Sequence, residues 1–63
     1  MRINEKKLKI AMARKCWSFS DLAEAAGINR SAIYQRIRAK NVRTETLGEL
    51  AKVLEVPVEE IVI

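Results

Sequence analysis

The sequence contains no histidine and one cysteine, Cys16, so it lacks the commonest metal ligand and general base and cannot close an internal disulfide. A cysteine-based zinc site is excluded for the same reason, and no metal or other cofactor is expected. One proline and two glycines leave few places for loops. The aromatic residues are only Trp17, Phe19 and Tyr34, too few for a platform that stacks the bases of single strands. No apolar run approaches the roughly 18 residues of a membrane span, and the opening Met-Arg-Ile-Asn-Glu-Lys-Lys lacks the apolar stretch of a secretory signal. The expectation is a cytoplasmic protein that meets no membrane. Catalytic groups are missing too. There is no glycine-rich phosphate loop and no serine with a base beside it, and Glu59 and Glu60 would point about 100° apart on a helix. No catalytic residue, no enzyme and no small-molecule ligand are expected.

What is present describes one small globule spanning residues 1–63. Hydrophobic residues make up 49% and charged residues 32%, too apolar for a disordered tail. Lysine and arginine number 12 against 8 acids, for a net charge of +4. The distribution matters more than the total. Residues 1–15 carry Arg2, Lys6, Lys7, Lys9, Arg14 and Lys15 against Glu5. Residues 30–43 carry Arg30, Arg36, Arg38, Lys40 and Arg43 with no acid at all, whereas residues 44–63 hold five glutamates against Lys52. Such polarity suits an anionic partner, while each run by itself could equally be a solvated helix face.

The periodicities are helical throughout. Asn4 is an N-cap with Ile3 placed to staple onto Leu8, and Leu8, Ala11 and Met12 form the inward stripe of a first helix ending near Cys16. Cys16 itself is expected to be a small buried hydrophobe. Ser18-Phe19-Ser20-Asp21 has the spacing of a capping box, Trp17 precedes it, and Leu22, Ala23 and Ala26 face inward. Gly27 can stop that helix in the left-handed conformation. Asn29 then caps a helix from Arg30 to about Ala39, with Ile33 and Ile37 inward. Two helices, about 19–26 and 30–39, joined by three residues including a glycine, are a helix-turn-helix. Leu47, Leu50, Ala51 and Leu54 mark a further helix capped by Thr44. Val56-Pro57 stops it, and Pro57 opens a last short helix bearing Val58, Ile61 and Val62. The terminal Ile61-Val62-Ile63 could cap the core or meet a second copy. The fold expected is all-α, five helices around one core.

The run Asp21-Leu22-Ala23-Glu24-Ala25-Ala26-Gly27-Ile28-Asn29-Arg30-Ser31-Ala32-Ile33, followed by Thr46-Leu47 through Leu54-Glu55-Val56-Pro57-Val58-Glu59-Glu60-Ile61, resembles the lambda-repressor/Cro-like helix-turn-helix family, also called XRE. The likeness covers nearly the whole chain and is closest to minimal, single-domain members. It implies a compact five-helix lambda-repressor-like domain whose second motif helix enters the major groove of DNA. Carried over by position, the base-reading residues are Arg30, Ser31, Tyr34 and Gln35. Arginine can pair with guanine O6 and N7, glutamine with adenine N6 and N7, and serine is permissive. Phosphate contacts are implied for Ser18 and the amides of Phe19 and Ser20, and for Arg38, Lys40, Asn41 and Arg43. This chain departs from the family pattern in three places. Phe19 stands where a polar residue is usual, and Arg36 where an apolar one is usual, so Ile37 takes the inward place. Ala39 stands where glycine is usual, which makes Asn41 the expected left-handed residue.

The resemblance therefore implies a sequence-specific, double-stranded DNA-binding transcription regulator, expected to be a repressor and a homodimer on DNA. The alternative is a protein-interaction module, such as an antitoxin or anti-repressor partner, whose helix-turn-helix is only structural.

Overall fold

The computed structural model describes residues 1–63 and contains four α-helices: α1 (Glu5–Arg14), α2 (Phe19–Ala26), α3 (Arg30–Arg38) and α4 (Thr44–Leu54). Local chemistry starts three of them where the sequence places the caps. The Asn4 side chain accepts the Lys7 N–H, and the Asn29 side chain accepts that of Ala32. At α2 the capping box closes in both directions. The Ser18 hydroxyl accepts the Asp21 N–H at 3.3 Å, and the Asp21 carboxylate accepts the Ser18 N–H at 2.9 Å.

The fifth helix is a correction. Residues 58–60 form a single 3₁₀ turn after Pro57, and at Ile61 the chain leaves helical geometry. Three residues are too few to nucleate an α-helix, and the terminal backbone finds partners elsewhere. Asn4 N–H donates to the Ile61 carbonyl at 2.8 Å and Ile63 N–H to the Arg2 carbonyl at 3.1 Å, flanking an antiparallel bridge between Ile3 and Val62. The two ends of the chain thus close over the core together. Ile61 and Val62 are buried there, whereas Ile63 is 75% exposed.

Three smaller expectations also change. Thr44 is not the cap of α4 but its first helical residue. Its hydroxyl donates to the Glu45 carboxylate, and Arg43 precedes the helix with no side-chain cap bond. Asn41 is not left-handed, because the chain leaves α3 in an extended conformation at Ala39 and is then held from outside. Val42 N–H donates to the Met1 carbonyl at 2.6 Å, and the Met1 ammonium donates to Asn41 Oδ1 at 2.7 Å. Cys16 is exposed rather than buried. It takes a φ of 59° just past α1, so its side chain turns outward and Trp17 occupies the half-buried place beside the core.

The same device ends three helices. Left-handed residues follow α1, α2 and α4 at Cys16, Gly27 (φ 74°) and Glu55 (φ 57°). In each, the next residue's N–H reaches back five positions: Trp17 to Met12, Ile28 to Ala23 and Val56 to Ala51. These are Schellman closures, and Trp17, Ile28 and Val56 each lay an apolar side chain against the core.

One cluster of 15 buried residues, all of them apolar, joins the four helices, with Leu8, Leu22, Ile33, Leu47, Leu54 and Ile61 almost wholly enclosed. Helix α2 packs against both α3 and α4, and the closing turn packs against α1 and α4. This leaves one long side of α3 uncovered.

Candidate nucleic-acid interface

Helix α3 is divided by its own periodicity. Ile33 and Ile37 are buried in the core, and Arg30, Ser31, Tyr34 and Gln35 are exposed on the other side. The spacing of these four at i, i+1, i+4 and i+5 gathers them on the first turns of one face. The face is reachable because the preceding turn is short: only Gly27, Ile28 and Asn29 separate α2 from α3. Gly27 reverses the chain in the left-handed region, and half-buried Ile28 pins the turn to the core.

The start of α3 breaks an electrostatic rule that the other helices keep. Helices α1, α2 and α4 carry an acid in the first turn, Glu5, Asp21 and Glu45 respectively, where the helix dipole favours negative charge. Helix α3 has no acid there and begins with Arg30. Its other end is conventional, with Arg36 and Arg38 in the last turn. Glu45 shows the favourable case. Its own backbone N–H and the Thr44 hydroxyl hold its carboxyl below the ordinary value of 4.5.

Ion pairing separates the two basic runs. In α1, Lys9 pairs with Glu5 at 3.3 Å and Arg14 with Glu60 at 3.4 Å, and just past it Lys15 pairs with Glu55 at 3.0 Å. No ion pair involves Arg30, Arg36, Arg38, Lys40 or Arg43. The second basic run is therefore left with its positive field uncompensated by a neighbouring acid.

The residues with implied phosphate contacts lie at two places. At the start of α2, Ser18 is occupied internally, since its N–H and hydroxyl both engage Asp21. The Phe19 and Ser20 N–H groups have no helical carbonyl within reach and are free at the helix end. Phe19 is half-buried, and its ring lies 5.1 Å from that of Tyr34 at a 50° tilt. Ser20 is exposed, and its hydroxyl accepts a hydrogen bond from Arg30 Nη1 at 3.2 Å. At the end of α3 and in the loop after it, Arg38, Lys40, Asn41 and Arg43 are all exposed, although the Asn41 side chain is engaged by the Met1 ammonium. Here an open cleft of about 250 Å³ is lined by Arg36, Ala39, Asn41, Val42, Arg43 and Thr46. Arg36, which like Arg38 the sequence offers as either a phosphate contact or part of a plain basic face, lies in this lining. Thr46 is an addition that nothing local marked; it reaches the cleft because α4 folds back beside the loop.

No cluster of acids and cysteine is placed to hold a metal ion, and no helix is long and apolar enough to cross a membrane. A family model described as the Cro/C1-type HTH DNA-binding domain matches residues 7–63. No curated protein and no solved structure matches the chain.

Proposed function

The chain belongs to the Cro/C1-type helix-turn-helix DNA-binding family, and on that premise we propose that it is a sequence-specific transcription regulator, a repressor, that acts from the cytoplasm on double-stranded DNA. In this reading α3 lies in the major groove. Arg30, Ser31, Tyr34 and Gln35 meet base edges, while the start of α2 and the residues Arg38, Lys40, Asn41 and Arg43 meet phosphates on either side. The observation that carries it is the second basic run, Arg30 to Arg43, whose cations have no acidic partner although residues 44–63 hold five glutamates. Arg30 adds support, because a cation at a helix N-terminus costs stability and no ion pair offsets it.

The protein acts by binding, with residues 1–63 folded as one binding domain. A pair of such units is needed. The Cα atoms span 26 Å at most, less than the roughly 34 Å between successive major-groove faces on one side of the duplex. One copy reads one half-site, and a homodimer reads two.

Selection from a random double-stranded DNA pool at about 0.15 M salt tests this directly. The expected product is a motif with two related halves one helical turn apart. Arg30→Ala should cost about 1–3 kcal/mol and relax preference at one position in each half. Arg43→Ala should weaken all sequences alike and lower the salt dependence by one phosphate contact. Salt-sensitive binding with no enriched motif would defeat the reading and favour a protein partner instead.

A further inference from the structure

We propose that the first turn of α2 is a positioning element for base reading: Ser20 sets the guanidinium of Arg30 and Phe19 sets the ring of Tyr34. The proposal rests on the reading of α3 as the recognition helix. Its basis is a pair of matched contacts. Two consecutive residues of α2 meet two residues of α3 that lie one helical turn apart, Ser20 with Arg30 at 3.2 Å and Phe19 with Tyr34 at 5.1 Å between ring centroids.

The platform is rigid where it must be. The capping box locks the backbone on either side of Phe19 and Ser20, with Ser18 and Asp21 bonded reciprocally. Phe19 is anchored against the core, so its ring can hold Tyr34 without moving. Arginine and tyrosine gain from this in different ways. The Arg30 side chain has many rotamers, and holding one N–H of Nη1 selects among them while leaving Nη2, Nε and the second Nη1 proton free. That remainder still provides the two parallel donors that guanine accepts. Tyr34 has few rotamers, and the Phe19 ring covers one side of it, leaving the residue 38% exposed with its other side toward the partner. Phe19, which departs from the polar residue usual at its place, thereby has a packing role next to the recognition face.

The same contacts could instead park Arg30 away from DNA, and the two possibilities make opposite predictions. The measurement is the affinity for the selected site divided by the affinity for a site changed at one base pair, taken across every position. Ser20→Ala should lower this ratio roughly two- to tenfold at the position that Arg30→Ala relaxes, and nowhere else. Adding Ser20→Ala to Arg30→Ala should change nothing further there. Phe19→Leu should do the same at the Tyr34 position, and Phe19→Tyr, which keeps the ring, should restore it. Ser20 is exposed, so its variant folds even if Phe19→Leu is less stable. A loss spread evenly over all positions would mean a structural or phosphate-contact role and would overturn the proposal. So would an unchanged or higher ratio for Ser20→Ala and Phe19→Leu while Arg30→Ala and Tyr34→Ala still relax their positions. If Arg30→Ala and Tyr34→Ala themselves relax nothing, the recognition-helix reading is what fails.

Discussion

Replacing either of the chain's two glycines with alanine adds the same methyl group to equally open space, yet the two changes should move stability in opposite directions. A Cβ at Gly27 or at Gly48 would meet no atom within 4 Å, so crowding plays no part. The backbone decides the sign. Gly48 lies inside α4 on the exposed side, away from Leu47, Leu50 and Leu54. Alanine there keeps helical geometry and removes the excess flexibility of glycine in the unfolded chain, a gain of about 0.5–1 kcal/mol. Gly27 has a φ of 74° and closes α2. Alanine in the left-handed region costs about 1–2 kcal/mol, offset by an unfolded-state gain of about 0.4–1 kcal/mol, so the net loss is roughly 0.5–1 kcal/mol. The separation between the variants is then about 1–2 kcal/mol. For a domain of this size each kcal/mol corresponds to roughly 4–8 °C in Tm. Thermal unfolding followed by far-ultraviolet circular dichroism, with urea midpoints at constant slope, measures both. Gly48→Ala should melt above the parent and Gly27→Ala below it. If both shift the same way, the assignment of Gly27 to a left-handed closure is wrong.

The other left-handed positions give a converse test: Cys16→Gly should raise stability by about 0.5–1 kcal/mol, because Cys16 has a φ of 59° and an exposed side chain with little to lose. A lower Tm would show that the thiol makes a contact worth more than the backbone strain. For Glu45, a carboxyl held below 4.5 favours the folded state when ionised. That contribution is complete above the unfolded value and disappears as pH falls through the folded one. Glu45→Gln should therefore destabilise α4 at neutral pH and become silent in acid, and an NMR titration midpoint for Glu45 at or above 4.5 would refute the assignment. Ile33→Ala should cost about 2–5 kcal/mol, a large part of the whole stability of so small a domain. It should abolish binding to every DNA sequence together, unlike Arg30→Ala, which removes a cation from a helix N-terminus and should not lower the Tm.

Features whose partners lie within a turn or two of helix are legible in the order of residues alone. The caps at Asn4, Ser18 and Asn29, the left-handed stop at Gly27 and the inward stripes all follow from bonds and periodicities spanning three to five residues. The exposed face of α3 was legible for the same reason: once Ile33 and Ile37 point inward, Arg30, Ser31, Tyr34 and Gln35 must point out. Features that depend on segments far apart in the chain emerge only once the helices have packed. Pairing of residues 2–4 with 61–63 replaced the fifth helix by a 3₁₀ turn, and the Met1 contacts to Asn41 and Val42 set the loop after α3. Left-handed closure at Cys16 and Glu55 carries no residue signal, because neither is glycine; the burial of Trp17 and Val56 imposes it. Charge divides in the same way. Composition counts the cations, but Arg14 and Lys15 find Glu60 and Glu55 across 46 and 40 positions respectively, while the cations of residues 30–43 find no acid. The contacts of Phe19 with Tyr34 and of Ser20 with Arg30 likewise wait on α2 and α3 docking across the turn, since hydrophobic burial, and not any local rule, brings those helices together.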